Sequence, residues 1–275
     1  LMQASLPTYV SGLIGAPWVN AGAMTNKGVE FTLNTRNILT HDFTWTSGLT
    51  FSINRNEVTK LYSESSAISG INGNETLTYT MVGEPVGQFY GYKVIGMFKE
   101  ESDFYKKDAD GNFQLDEAGN RIRIAIPKGQ QISKNGIWVG DYIYEDLHED
   151  GVIDEKDRTF LGNPAPKFTF GFNNYFAYKG FDLNIFLNGS VGNKAVNLIR
   201  RTFTDPMRNS NLLKEATDIA LIGMHDPEVG DEELSNVYIV NADRAKVQRV
   251  TTSSANDNNR ISSRFIEDAS YLRIK

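Results

Sequence analysis

The densest group of side chains able to do chemistry lies at residues 140–158, Gly-Asp-Tyr-Ile-Tyr-Glu-Asp-Leu-His-Glu-Asp-Gly-Val-Ile-Asp-Glu-Lys-Asp-Arg. Counted from Asp146, polar side chains fall at positions 1, 3, 5, 9 and 12 (Asp146, His148, Asp150, Asp154 and Asp157), with Gly151 at position 6. This is the spacing of an EF-hand-type calcium loop, in which the glycine makes the sharp turn and position 7, here Val152, gives a backbone carbonyl. Carboxylates packed this closely repel one another unless a hard cation neutralises them. Two residues depart from the pattern: His148 offers nitrogen where calcium prefers oxygen, and Asp157 stands where the loop usually has the longer glutamate. The flanks are not amphipathic helices. A second reading needs no metal, with the aspartates capping turns and pairing with Lys156 and Arg158. The expectation is a structural divalent cation, calcium, held by Asp146, His148, Asp150, Val152, Asp154 and Asp157; no other cofactor is required.

Little else in the chain points to catalysis. The histidines are His41, His148 and His225, and none sits in an HExxH pair or near a Gly-x-Ser-x-Gly elbow. There is no phosphate-binding glycine loop, and no carboxylate pair in an apolar stretch that would separate their pKa values. Cysteine is absent, which removes disulfides, thiolate metal sites and cysteine nucleophiles but says nothing of compartment. The chain is not expected to be an enzyme. With a formal net charge of -6 and no basic face, a nucleic-acid partner is not expected either. The basic pairs Lys106-Lys107 and Arg200-Arg201 read as solvated loop.

The elements that must carry these groups read as strands. Val29, Phe31 and Leu33 alternate with Glu30, Thr32, Asn34 and Arg36. After a turn at 39–42, Phe43, Trp45, Leu49, Phe51 and Ile53 alternate with Thr44, Thr46, Gly48, Thr50, Ser52 and Asn54. Phe168, Phe170, Phe172, Phe176 and Tyr178 then alternate with Thr169, Gly171, Asn173 and Tyr175. Lys179-Gly180 reverses the chain into Phe181, Leu183, Ile185 and Leu187, which alternate with Asp182, Asn184 and Asn188. Residues 88–98 form a weaker strand with Tyr90, Tyr92, Val94, Gly96 and Phe98 together, and residues 271–275 begin another with Leu272 and Ile274 together. Side chains alternate across a strand, so one face meets an apolar medium and the other water.

A soluble β-sandwich alternates in the same way. Two features favour a membrane: the wet faces are small and neutral, and aromatics gather at strand ends, as in the girdles of outer-membrane barrels. No run of about 18 apolar residues exists, so a membrane-crossing helix is not expected. The connections 60–82, 99–162 and 189–262 are long, as the extracellular loops of such barrels are. Within them, 212–224 has helical spacing, and Asp108-Ala-Asp-Gly-Asn and Glu117-Ala-Gly-Asn look like hairpin turns.

Several blocks in order resemble the C-terminal half of SusC/RagA-type TonB-dependent transporters: 20–30, 43–56, 83–92, 140–158, 161–171 and 267–275. The resemblance implies an all-β fold, part of an antiparallel transmembrane β-barrel of about 22 strands with long extracellular loops. It implies import of oligosaccharide or peptide across the cell outer membrane of Bacteroidota, with a SusD-like surface lipoprotein as lid. TonB would act through an N-terminal part, and outer-membrane lipid would surround the wall. Residues 1–275 would then be a partial barrel domain, with the plug domain, signal peptide and final strands outside it. His148 departs from the family's usual Asn or Asp. The rival readings are a soluble, calcium-stiffened adhesin or glycan-binding module, an outer-membrane lipase-like enzyme, and a siderophore or cobalamin receptor.

Overall fold

The structure is a computed structural model describing residues 2–3, 18–19, 22–61, 67–208 and 210–275. The sequence expectations that touch residues 1, 20–21 and 62–66 lie outside the described residues. Two compact units share the chain: Leu1–Tyr90, Gly162–Val196 and Ile266–Lys275 form one, and Gly91–Leu161 with Asn197–Phe265 the other.

The first unit is built on a five-stranded antiparallel sheet. Its strands are β1 (Ala23–Leu39), β2 (Phe43–Lys60), β3 (Phe168–Tyr178), β4 (Phe181–Val191) and β5 (Tyr271–Ile274), adjacent in that order. Threonine, aromatic and β-branched residues dominate these strands, which suits a pleated surface. Two tight turns lie at one end. Lys179 (φ 44°) and Gly180 (φ 86°) are both left-handed, the requirement of a two-residue turn matched to strand twist. The register places Tyr178 opposite Phe43 and Thr44 opposite Leu39, so the turn at 40–42 lies at the same end. All long excursions leave from the other end.

Register aligns the alternation of every strand. Leu33, Leu49, Phe172, Leu187 and Ile274 follow one another across the sheet, as do Phe31, Phe51 and Phe170. Aromatic rings pair between β2 and β3, with Trp45 stacked on Phe176 at 5.6 Å and Phe51 against Phe168 at 5.4 Å. Phe170 lies across Gly189, where an added Cβ would come within 2.5 Å of its ring. Among the described residues no second layer covers this face. Val29 is 65% exposed, Leu183 55% and Leu272 61%, whereas the buried apolar residues of this unit are Val58, Leu61 and Phe89, outside the band. The band from Phe43 to Ile53 spans ten residue steps, roughly 33 Å along the strand; a tilt of about 40° leaves about 25 Å, the height of an outer-membrane apolar belt.

A smaller sheet joins Ile68–Asn72, Glu75–Thr80 and Gln88–Tyr92, and Lys194–Val196 pairs with Ile266–Asp268. The expected single strand at 88–98 is two strands, Gln88–Tyr92 and Val94–Met97, and the second pairs with Tyr142–Tyr144. It belongs to no wall, because Phe98 is drawn into a packed core.

That core belongs to the second unit. Phe98 stacks on Phe104 at 4.0 Å, and Ile137, Trp138, Val139, Val237 and Ile239 close round them. The long loops are thus folded structure with their own apolar interior. The expected helix at 212–224 is instead a 3-10 turn, Lys214–Asp218, followed by the strand Ile222–Met224. Ala216 and Ala220 are buried while Leu212, Leu213 and Leu221 are exposed, so its apolar residues do not share one helical face. An α-helix forms at Leu198–Phe203, started by the Asn197 side chain accepting from the Arg200 amide. There Arg200 is no solvated loop residue. It chelates Glu215 and donates to the Arg264 carbonyl, while Arg201 donates to the Asn259 carbonyl.

Candidate functional site

The face of the sheet opposite the apolar band is polar from edge to edge. Glu30, Thr32 and Asn34 of β1 lie beside Ser52, Thr50 and Gly48 of β2, then Thr169, Gly171 and Asn173 of β3, then Ser190, Asn188 and Phe186 of β4. Two glycines, Gly48 and Gly171, sit in the middle of this wall, so side-chain bulk is lowest there. The result is a hollow of about 410 Å³ lined by Asn34, Arg36, Thr46, Thr50, Asn173 and Phe186 around the glycines. A second hollow of about 360 Å³ continues it past Glu30, Thr32, Thr169 and Asn188.

Phe186 is the aromatic of this wall that the sequence pattern passed over, although its even position among Asp182, Asn184 and Asn188 places it on the wet side. It lies over Gly171, whose absent Cβ would otherwise stand 3.4 Å from the ring and 2.7 Å from the Thr50 hydroxyl. Flanking it, the Asn173 and Asn188 side-chain oxygens are shielded and have no hydrogen-bond partner. Buried acceptors of this kind are costly to leave unmade, so the wall carries capacity for donors brought to it.

The acidic loop folds by local hydrogen bonds. Asp157, 1% exposed, accepts from the amides of Leu147 at 2.9 Å, His148 at 3.3 Å and Asp154 at 2.8 Å. With Asp154 it forms a reciprocal capping box on the 3-10 turn Glu155–Asp157. Asp150 accepts from the Val152 amide, and Asp146 Oδ2 from the Gly151 amide. Val152–Ile153 pairs in parallel with Ile126–Pro127. His148 Nδ1 stands 3.9 Å from Asp157 Oδ1, and Lys156 stands 3.8 Å from Asp150. The lysine thus pairs as the metal-free reading expects. Among the described residues, no three His, Asp or Glu side chains converge as a metal cage. Asp146 Oδ1 nevertheless is buried and has no partner, at the first position of the calcium-like spacing. Asp154 is held below the ordinary carboxylate range, first by the Lys156 amide and further by the charges of Lys156, Lys128 and His148.

The repeated turns are Asx turns. Asp108 accepts from the amides of Asp110 and Asn112 at 3.0 and 2.8 Å, and Asp116 from those of Ala118 and Asn120 at the same distances. These bonds hold both carboxyls below their usual range.

The least legible site is a buried clasp between two distant segments of the second unit. Asp141 is 0% exposed and Arg249 4% by side chain, with Nε to Oδ1 at 2.9 Å. Asp141 also accepts from Asn258 Nδ2 and from the Trp138 amide, each at 2.8 Å. Arg249 donates onward to the carbonyls of Lys134 and Gly136. Gly140 makes the turn at φ 92°, and any Cβ there would stand 2.8 Å from that of Arg249. Burial pushes the Asp141 carboxyl above its ordinary range, and the donors ranged round it oppose that push. Around the clasp, Arg264 lies 3.9 Å from the Tyr142 ring centre and Arg260 4.3 Å from that of Tyr92. Burial drives the Tyr142 and Tyr144 phenols well above their usual range.

An antiparallel sheet with one largely apolar face, crossed by the hydrogen-bonded row Thr35, Ser47 and Asn174, one polar face, tight turns at one end and long excursions leaving from the other defines a sector of an outer-membrane β-barrel wall. Comparison with known proteins agrees. No family model matches the chain. It is 30% identical over its whole length to TonB-dependent receptor P3 of Formosa agariphila and 24% identical over 84% of its length to TonB-dependent receptor SusC of Bacteroides thetaiotaomicron. It spans only 23% and 20% of those two relatives. In fold it is similar to the RagAB peptide transporter, with a TM-score of 0.64, 20% identity, and coverage of all of this chain and 24% of that one. The chain is a β-barrel part of the SusC/RagA type of TonB-dependent receptor, a protein of the outer membrane. The soluble-module and lipase-like readings are set aside by these relatives.

Proposed function

We propose that this chain forms wall and mouth of a TonB-driven importer that brings oligosaccharides or peptides through the outer membrane. The observation that carries the reading is the pair of opposed faces on one sheet. Phe, Leu and Ile line one side, and a Thr, Asn and Gly wall with shielded, unpartnered Asn173 and Asn188 oxygens lines the other. A sheet one residue thick can separate lipid from a polar passage only with this alternation. The long connections that leave the sheet opposite its tight turns would offer a surface to a SusD-like lipoprotein. Uptake needs no bond-making in such a site, only a polar path and a gate.

The test is deletion of the full receptor gene in its source bacterium, followed by uptake of fluorescent oligosaccharide and peptide pools. Loss of uptake of one pool, restored by the intact gene, supports import. Unchanged uptake of both, with normal growth on either nutrient, refutes it.

For the acidic loop we propose a structural hard cation at Asp146, His148, Asp150, Val152, Asp154 and Asp157. The buried oxygen of Asp146 with no donor favours it, since cation coordination would satisfy that atom.

A further inference from the structure

At the long-loop end of the wall, the apolar band gives way to a concentration of positive charge that neither transport nor the loops explain. Val29 and Ile53 are the last apolar pair on this face of β1 and β2, and two residues farther out on the same face Lys27 stands directly opposite Arg55. Cβ atoms so placed lie about 5 Å apart, and like charges there are mutually destabilising. Among the described residues neither side chain makes an ion pair; Glu57, two residues beyond Arg55, does not reach it.

Arg55 also lines a hollow of about 250 Å³ at the ends of β2, β3 and β4, with Lys167 and Lys194 on its other sides. No carboxylate lines this hollow among the described residues, although the protein as a whole carries a net charge of -6. The lysines are held in place. The Lys167 stem lies across Gly192 and the Lys194 stem across Gly162, where an added Cβ would in each case come within 2.6 Å of the lysine Cγ. Lys194 keeps one counter-charge, Asp268 at 3.1 Å. Lys167 and Arg55 keep none among the described residues.

The geometry points to a binding site for a phosphate-type anion in the hollow of Arg55, Lys167 and Lys194, with Lys27 opposite Arg55 beside it, occupied by the phosphorylated headgroup of an outer-leaflet lipid. The height decides the lipid. Lys27 and Arg55 stand one pair of residues beyond the hydrocarbon band, on the side of the long loops, where headgroups begin. A multiply charged headgroup offsets the Lys27–Arg55 repulsion and fills the hollow, and charge-assisted hydrogen bonds from arginine and lysine are strong at that boundary. The inference rests on membrane placement of the sheet and is independent of what is transported.

The experiment uses the full receptor, extracted in neutral maltoside detergent and examined by native mass spectrometry for retained lipid. Thermal unfolding is followed with and without inorganic phosphate, and in bilayers with and without phosphorylated lipid. The variants are Arg55→Gln with Lys167→Gln and, on the exposed end of β1, Lys27→Gln alone; Lys128→Gln is the control. Wild type should retain phosphorylated lipid and the double variant at least tenfold less. Lys27→Gln should raise Tm in detergent stripped of lipid and lower it in bilayers containing phosphorylated lipid. If millimolar phosphate stabilises wild type but not the double variant, while retained lipid is the same in both, the anion site stands with free phosphate as its ligand. Equal lipid retention and no phosphate effect in any variant overturn the proposal. If the double variant fails to fold, the sign change of Lys27→Gln decides alone.

Discussion

Replacing Asp141 with alanine tests the idea that the loop unit is clasped by a buried ion pair. The carboxylate meets Arg249 at 2.9 and 3.2 Å, Asn258 at 2.8 Å and the Trp138 amide at 2.8 Å, all out of water. Removing it strands the guanidinium. Arg249 keeps its bonds to the carbonyls of Lys134 and Gly136, at 2.9 and 3.0 Å, but loses its counter-charge while only 4% exposed. Breaking a buried pair in this way costs about 3–5 kcal/mol, because the remaining charge is uncompensated. At about 1.4 kcal/mol per factor of ten, the open population of the second unit should rise roughly 100- to 4,000-fold. Hydrogen exchange by mass spectrometry on the full receptor measures this. Peptides spanning 136–144 and 247–250 should lose protection by that factor, while peptides from β3 and β4 keep theirs. The double change Asp141→Leu with Arg249→Met removes both charges and should recover most of the protection, since well-packed apolar replacements of buried pairs are often neutral. A loss smaller than tenfold in the single variant refutes the clasp as the element holding these segments together.

Arginine in place of Leu49 or Phe172, in the middle of the apolar band, should destabilise the inserted barrel by about 2–4 kcal/mol, whereas Thr50→Arg on the polar wall should be tolerated. Folding titrations into lipid vesicles that rank the three equally would refute the face assignment. If a cation sits in the acidic loop, Asp146→Ala should abolish a calcium-dependent rise in Tm. Asp157→Ala should lower Tm with or without calcium, because Asp157 serves three backbone amides; a receptor indifferent to chelators refutes the cation. Asp268 is held down to about 2 by the Ser270 hydroxyl and amide and by Lys194. A carboxyl depressed on folding contributes stability above its unfolded value near 4, and that contribution is lost as pH falls toward 2. Its NMR titration midpoint should lie near 2 and move up in Lys194→Gln; a midpoint near 4 in the unaltered protein refutes the pairing.

The alternation of residues by itself determined the wall. A strand has a period of two, so Phe43-Thr44-Trp45 and Phe168-Thr169-Phe170 state their two faces without further information, and the register observed simply brings like faces together. The turns were equally plain, since Lys179-Gly180 and the paired Asp-x-x-Gly-Asn segments need only neighbouring atoms to fold. Tertiary structure alone decided the rest. Asp141 and Arg249 are 108 residues apart, and Lys27, Arg55, Lys167 and Lys194 come from four segments. The helix expected at 212–224 failed for a related reason, because the core selected Ala216 and Ala220 and left the leucines outside. Local sequence specifies what is paid for within a few residues, such as pleat, turn and capping. Charge compensation and core membership depend on which remote segments arrive, and a single strand of sequence does not encode that arrival in any local pattern.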